Sequence, residues 1–354
     1  MKVFLTKFHY KRKFSKKEMV FYSPLYVVLG LPTLIYWAIA KIRNFLYRKN
    51  ILKNYKSHVY TISVGNLTTG GTGKTPITAE IANYYLQKGD YPAILSRGYG
   101  GTISNKCVNV VSDKNKINFT ANEAGDEPFW LAEHCPKTAV LTCSSRVKAA
   151  QYAQKKLCCT KLILDDGYQH QKLERDLNIL VVDSEKQFSN GFVLPLGALR
   201  EPVSEIKRAD KIVIVNKSVN DKKAKNFAQL LKNKYRKPVF ICNMEPDIVY
   251  NIKTGEMIDD ALPVVAFSAI AQPEQFYKYL QRFDIMGIKS YPDHHLYTKE
   301  DIEELKSFMK KNGASCMITT EKDAVKIQEI LINNEDIYAL KLKPSLDLRG
   351  LLDE

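Results

Sequence analysis

Eleven residues, Asn66–Pro76 (NLTTGGTGKTP), hold three chemical tools side by side. Gly70, Gly71 and Gly73 lack a Cβ and can turn backbone N–H groups toward an anion. Lys74 supplies a positive charge for the β- and γ-phosphates of a nucleotide, and the Thr75 hydroxyl can reach Mg2+. With Thr72 among them, Gly70, Gly71, Thr72, Gly73, Lys74 and Thr75 read as a nucleoside triphosphate loop. The spacing is imperfect. The usual pattern is G-x-x-x-x-G-K-[ST], yet the position five before Gly73 is Thr68, and Gly65, Gly70 and Gly71 lie around it. The context compensates. The apolar run VYTISVG precedes the loop, a helical pattern follows, and Pro76 suits the first helical turn. The plainer alternative is a glycine-rich turn with a surface lysine.

A phosphate loop needs an acid for its metal, ordinarily at the end of a neighbouring buried strand. KLILDDGYQH offers Asp165 and Asp166 after an apolar run, and either can hold Mg2+ directly or through water. A tight Asp-Gly turn explains one aspartate but not two. The loop alone names no reaction, because switches, transport ATPases and small-molecule kinases share it. Guanine switches carry N-K-x-D on a later strand; here Asn216 and Lys217 are followed by Val219 where the aspartate belongs. Membrane-surface partitioning ATPases place a lysine directly before G-G-x-G-K-T, where this chain has Thr69. Both readings weaken.

The elements that must position these groups follow an alternating rhythm. VYTISV (59–64), PAILS (92–96), TAVLTC (138–143), KLILDD (161–166), LNILVVD (177–183) and KIVIVN (211–216) read as buried strands. Helical patterns cover Pro76–Lys88, Glu127–His134 and Ser145–Leu157. A second series follows: KPVFIC (237–242), LPVVAFSAI (262–270), a helix from Pro273, another near Lys299–Lys311, SCMITT (315–320) and IYALKL (337–342). This predicts an α/β fold: a mainly parallel sheet flanked by helices, then a smaller α/β domain. Boundaries are expected at 1–57 (basic, hydrophobic anchor and linker), 58–235 (phosphate-loop core) and 236–354 (smaller domain).

The chain has 354 residues and 45% hydrophobic content, enough for two α/β domains. Seven cysteines (107, 135, 143, 158, 159, 242, 316) form no C-x-x-C pair. They read as buried free thiols in a reducing compartment. Net charge is +15, but residues 1–57 carry 13 Lys and Arg against one acid, Glu18, and so hold +12 of it. The folded remainder is nearly neutral and has no interleaved basic–aromatic motif, which argues against a nucleic-acid partner.

The basic charge surrounds Met19–Ala40, 22 residues without a charge. As a helix this run would be about 33 Å long, against a bilayer core of roughly 30 Å. Tyr22, Tyr26, Tyr36 and Trp37 suit membrane interfaces. No small-residue cleavage site follows, which argues against a cleaved signal. Basic residues on both sides leave the orientation open, and Pro24, Gly30 and Pro32 interrupt a straight span. A crossing, an interfacial or re-entrant anchor, and a buried core helix all fit. Met19 is an alternative start, which would remove seven of the basic residues.

Further clusters are SRGYGG (96–101), AGDEP (124–128), DDGYQH (165–170), RDLNILVVD (175–183), FSNGFVLPLGALREP (188–202), PDHHLYT (292–298) and TTEKDAVK (319–326). With GNLTTGGTGKTP, this set in this order closely resembles the tetraacyldisaccharide 4'-kinase (lipid A 4'-kinase) family, over roughly residues 20–345. The resemblance implies ATP- and Mg2+-dependent phosphorylation of the 4'-hydroxyl of a tetraacylated glucosamine disaccharide 1-phosphate. It also implies a lipid acceptor, contact with a membrane surface through the N-terminal segment, and a place on the cytoplasmic face of the inner membrane.

The resemblance also assigns roles. Asp126 of the G-D-E-P motif matches the catalytic base, and His294, after Asp293, matches its partner, with His295 as the alternative. A helix cap is the structural alternative for Asp126. Asp166 is the preferred metal ligand beside Asp165 and Thr75. His170 is placed near nucleotide or acceptor. Arg97 and Arg146 are placed on acceptor or phosphate groups, or else on the solvated surface. Arg200 and Glu201 of L-R-E-P are placed on ribose or metal waters, and Lys322 and Asp323 are functional or structural. Tyr168 and Gln171 occupy positions that vary among relatives, and residues 1–17 have no counterpart. Closure of the two domains on ATP and acceptor would bring Asp126 to His294. The rival class is a non-catalytic membrane-surface nucleotide switch; another lipid or sugar kinase is the other alternative.

Overall fold

Runs such as LNILVVD and KIVIVN have no polar alternation, so a strand made from them must be covered on both faces. Every residue of both strands is buried. The computed structural model describes residues 16–218, 221–258, 262–270, 273–292, 295–328, 330 and 336–353, with 16–26 described as backbone alone. Asp293 and His294 therefore lie outside the described residues.

In chain order the elements are α1 (Lys16–Arg48), β1 (Tyr60–Gly65), α2 (Lys74–Gln87), β2 (Pro92–Ser96), β3 (Asn109–Ser112), α3 (Ala121–Ala124), α4 (Asp126–His134), β4 (Ala139–Thr142), α5 (Arg146–Lys155), β5 (Lys161–Asp165) and β6 (Leu177–Asp183). A 3-10 turn (Val203–Arg208) leads to β7 (Lys211–Asn216), α6 (Lys222–Tyr235), β8 (Val239–Asn251), β9 (Pro263–Ser268), α7 (Pro273–Tyr279) and β10 (Asp284–Ser290). The chain closes with α8 (Lys299–Lys311), β11 (Cys316–Thr320), α9 (Glu321–Gln328), β12 (Ile337–Ser345) and α10 (Leu348–Leu352).

The strands form one twelve-stranded sheet in the order β10-β9-β11-β12-β8-β7-β6-β1-β5-β2-β4-β3. From β8 to β4 every neighbouring pair is parallel. The antiparallel pairs are β3 with β4 and β8 with β12. The expected mainly parallel sheet is present, but the second strand series adds to the same sheet through β8. That strand is 13 residues long, twice the length its apolar core KPVFIC suggests, because β7 pairs with residues 239–243 and β12 takes over along residues 243–251.

Parallel strands place all their carboxyl ends on one edge, and ligands of such sheets collect there. Gly65, Ser96, Thr142, Asp165, Asp183 and Asn216 end six parallel strands. β1 sits between β5 and β6, so the loop leaving β1 opens where the strand order reverses. α2 packs beneath that loop by burying Ile77, Ile81, Ala82 and Tyr85 at helical spacing. A fully buried isoleucine contributes about 1.5–3 kcal/mol.

α1 runs past the apolar segment to Arg48. Among the described residues no helix is long and apolar enough to cross a membrane. The crossing alternative thus finds no support there, and the reason is physical. One side of α1 docks on the protein through Thr33, Ala40 and Asn44, and charges follow at Lys41, Arg43 and Arg48. Thr33 Oγ1 accepts the Leu196 N–H at 3.0 Å, and Gln171 donates to Asn44 Oδ1 at 2.6 Å. All seven cysteines are free, but Cys107 and Cys158 are exposed rather than buried.

Candidate active site

The phosphate loop is held from two sides. Gly73, the N-cap of α2, has φ +85°, a left-handed conformation that a side chain would strain. Asn66 donates to Thr72 Oγ1 at 3.0 Å. The L-R-E-P segment lies alongside: the Thr69 N–H reaches the Ala198 carbonyl at 2.8 Å, and the Arg200 N–H reaches the Leu67 carbonyl at 2.7 Å. On the other side Lys217 Nζ donates to the Gly71 carbonyl at 3.0 Å while pairing with Asp183 at 3.1 Å. Lys217, directly after β7, thus braces the loop, although the Asn-Lys pair fails as a guanine motif.

Arg200 is the hub of the cluster. Its guanidinium holds both oxygens of Asp166, at 2.7 and 3.1 Å. It also donates to Asn66 Oδ1 at 2.6 Å and to the Thr68 carbonyl at 3.1 Å. Lys74 Nζ stands 3.5 Å from Asp166. Burial alone would raise the Asp166 pKa, but Lys74 and Arg200 overcome it and hold the carboxyl down at about 2. Asp166 therefore stays ionised at every working pH.

Asp165, one residue earlier, has the opposite environment. It ends β5, is 1% exposed, and accepts the Thr78 hydroxyl at 3.2 Å. Burial, then the charges of Glu127 and Asp166, push its carboxyl up, with Lys74 and Arg146 only partly opposing. The negative charge there is under-compensated. That is the donor chemistry a divalent cation fits, and Thr75 stands close in sequence to the lysine of the loop. Among the described residues no three His, Cys, Asp or Glu side chains could hold a metal by themselves. Mg2+ ordinarily takes one or two carboxylates and completes its shell with water and substrate phosphates.

Arg146 is not a surface arginine. It is 3% exposed at the start of α5, and it donates to the carbonyls of Cys143 at 2.8 Å and Asp165 at 3.4 Å. Burial lowers its pKa to about 10, so it remains a cation. Burial and the Arg146 charge press His170 down to about 4, which keeps its imidazole neutral. Arg97 is exposed on the loop after β2.

Asp126 is the first residue of α4, and its cap is Gly125. The capping alternative for Asp126 is thereby set aside. Gly125 has φ +93°, and a Cβ there would meet the Tyr99 carbonyl at 2.6 Å. The SRGYGG and AGDEP motifs are therefore two sides of one contact. The Asp126 side chain is 31% exposed and stands 3.9 Å from Lys326 Nζ. His295 is turned elsewhere: its Nε2 meets Asp301 at 2.9 Å and its ring stacks on Tyr291 at 4.7 Å. It is thus a poor alternative partner for Asp126.

Glu201 has a different task from the one expected. It is 1% exposed; Oε1 pairs with Arg43 at 2.5 Å, and Oε2 takes Arg208 and Gln169. It ties α1 to the core, and its burial leaves no open approach for ribose or metal waters. Sequence reasoning gave no role to Asn66, Gln169, Lys217 or Lys326. All four lie in stretches already quoted: Asn66 in NLTTGGTGKTP, Gln169 in DDGYQH, Lys217 in the failed guanine motif and Lys326 at the end of TTEKDAVK.

The sequence profile of the tetraacyldisaccharide-1-P 4'-kinase family matches residues 25–353. The chain belongs to this family. A tetraacyldisaccharide 4'-kinase of Desulfotalea psychrophila is 38% identical over 320 residues, covering 88% of this chain and 90% of the relative. Another, from Syntrophus aciditrophicus, is 35% identical over 322 residues, covering 86% and 85%. The crystal structure of LpxK from Aquifex aeolicus in complex with ATP superposes with a TM-score of 0.71 at 33% identity, covering 90% of this chain and 95% of that one.

This member of the tetraacyldisaccharide 4'-kinase family holds its phosphate loop with Lys217, and that contact can be measured. Lys217→Met removes a charged donor from the Gly71 carbonyl and leaves Asp183 with its backbone donors alone. KM for ATP is expected to rise about tenfold, because a hydrogen bond from a charged group contributes roughly 1.5–3 kcal/mol. Steady-state kinetics at saturating acceptor decide it; an unchanged KM removes the brace.

Proposed function

We propose the following working of the site. The reaction is ATP-dependent phosphorylation of the 4'-hydroxyl of a tetraacyldisaccharide 1-phosphate, a step of lipid A synthesis. The observation that carries the assignment of parts is the pairing of two unlike aspartates. Asp166 is locked ionised under Lys74 and Arg200, and Asp165 beside it is left short of positive charge.

Gly70, Gly71, Thr72 and Gly73 turn N–H groups to the ATP phosphates at the N-terminus of α2. Lys74 neutralises charge on the transferring group. Arg200 is a strut rather than a ribose contact, because Asp166, Asn66 and the Thr68 carbonyl occupy it. Thr75 and Asp165 would hold Mg2+, which neutralises phosphate charge when bound. That ordering favours Asp165 over Asp166 as the direct ligand.

Asp126 takes the proton of the acceptor hydroxyl as it attacks. Neutral His170 and cationic Arg146 line the same edge of the sheet and offer a donor and a charge to phosphate or acceptor oxygens. Arg97, exposed on the rim, suits the acceptor's 1-phosphate. His294 remains the partner proposed for Asp126. The division of the chain near residue 235 belongs to this reading, with the nucleotide held by the first part and the Asp-His-His loop supplied by the second.

The acceptor is a lipid, so the enzyme must meet a membrane. α1 carries an exposed stripe, Val28, Leu31, Ile35, Ile39 and Ile42, on the side away from Thr33, Ala40 and Asn44. A helix with one docked face and one bare apolar face suits lying in the interface rather than crossing it. We place the enzyme on the cytoplasmic leaflet, where ATP is, with the basic residues near α1 facing anionic headgroups. Ile35→Glu with Ile39→Glu should lower vesicle binding by at least about tenfold, since each buried isoleucine contributes roughly 1.5–3 kcal/mol. Co-sedimentation with phosphatidylglycerol-containing vesicles measures this. Undiminished binding would remove α1 from the membrane.

The test of the reaction is transfer of label from [γ-32P]ATP to the tetraacyl disaccharide 1-phosphate in detergent micelles with Mg2+. Labelled lipid is the expected product. Slow ATP hydrolysis indifferent to acceptor would favour a nucleotide switch instead.

A further inference from the structure

α4 and α9 run antiparallel and are joined at both ends across the seam between the phosphate-loop strands and the β9–β12 strands. At one end His134 Nε2 meets Glu321 Oε1 at 2.7 Å, with the His134 ring stacked on Trp130 at 4.0 Å. At the other end Lys326 Nζ stands 3.9 Å from Asp126. A cavity of about 520 Å³, lined by His134, Tyr250, Glu321 and Lys341 among others, lies behind the first joint. The two helices thus carry a polar joint at each end of their contact.

Lys326 is unusual for a lysine: its side chain is 5% exposed. A buried ammonium needs counter-charge and acceptors for its three N–H groups. Three partners surround it among the described residues. Asp323 Oδ1, on the same helix, is 3.7 Å away, and the His295 carbonyl accepts at 3.4 Å. Asp126, from α4, is the third. Asp323 is itself fully buried, and its other oxygen takes the Ala269 N–H at 2.9 Å and the Thr320 hydroxyl at 2.8 Å. Asp323 offers the lysine a counter-charge from within its own helix, and Asp126 is an additional partner from α4. The extra partner lies half open toward the site. The carbonyl partner belongs to the loop that carries the Asp-His-His motif.

We propose that Lys326 is a positioning residue for Asp126. Its ammonium fixes where the carboxylate sits and links it to the main chain at His295, so that one side chain holds the start of α4 against the second strand series. This rests on the reading of Asp126 as the base.

The test compares Lys326→Met, Lys326→Arg and Asp126→Asn in the micelle assay, with binding of a non-hydrolysable ATP analogue measured for each. Misplacing a reacting group by about an ångström can cost 100-fold, so Lys326→Met is expected to lower kcat at least about tenfold. The stoichiometry of analogue binding and KM for ATP should hold, and Lys326→Arg should recover most of kcat. If Lys326→Met unfolds the protein, Asp323→Asn with Lys326→Met removes the stranded charge and serves in its place. Wild-type kcat in the lysine variant beside an inactive Asp126→Asn would overturn the inference and leave the base in place. Full activity of Asp126→Asn would overturn the base itself, and the inference with it. A fall in kcat matched by an equal fall in analogue stoichiometry would make Lys326 a folding residue and overturn the inference alone.

Discussion

Asp126→Asn is expected to lower kcat for acceptor phosphorylation by about 10²–10⁴-fold, the range a positioned general base supplies. The substitution keeps volume and shape but removes the capacity to take a proton. α4 is capped by Gly125, so its start does not depend on the Asp126 side chain. Asp126 makes no direct contact with the phosphate loop among the contacts described above, and KM for ATP should therefore stay within about twofold, the pattern of an interaction made only in the transition state. Rapid-quench measurement of the first turnover separates this from slow product release. A variant with an undiminished single-turnover rate would mean that the hydroxyl loses its proton elsewhere.

Most of the architecture was legible in the sequence because its strands are apolar on both faces. PAILS is a strand at the stated limits, and the helix Lys299–Lys311 has the stated ends, marked by the Thr298–Asp301 capping box. β3 and β10 went unread. β3 has only four residues, and β10 (DIMGIKS) carries a glycine and two charges at an edge. α9 was hidden because its motif, TTEKDAVK, reads as chemistry rather than as a helix start. In the site, the loop and the two aspartates were visible from local spacing. What Arg200 and Glu201 do was not, since adjacent residues on an irregular segment point to opposite tasks: one toward Asp166, the other under α1. The partners of Lys326 are also distant in sequence, and no periodicity could join Asp126 to it.

Asp165→Asn is expected to change activity and stability in opposite directions. Loss of the carboxylate proposed to hold Mg2+ should lower kcat/KM by at least about 10²-fold, since a bound metal supplies several kcal/mol of charge stabilisation. The protein without ligands should melt higher. Burial, then Glu127 and Asp166, raise the folded-state pKa of Asp165 to about 7. A carboxyl raised above its unfolded value favours the fold fully only when protonated, and that contribution is lost as pH rises through the folded pKa. At pH 8 the wild type therefore keeps an unfavourable buried charge that asparagine lacks. Thr78 can still hydrogen-bond the amide, and Asp166 remains to face Arg146. An increase in Tm of about 2 °C at pH 8 is expected, which a stability gain near 1 kcal/mol produces. The gain should shrink as pH falls from 7 toward the ordinary aspartate value of about 3.9. Calorimetry at two pH values reads both signs. A destabilised variant at pH 8 would show that the charge is already balanced.

The thirteen residues of β8 bear on how the two strand series can move against one another. β7 pairs with β8 along residues 239–243, and β12 pairs with it along residues 243–251. The two ladders therefore meet on this strand at Asn243, and on either side of that residue β8 is clamped along one edge. Any swing of the far strands relative to the phosphate loop has its natural pivot there, where a single strand hands the sheet from one half to the other.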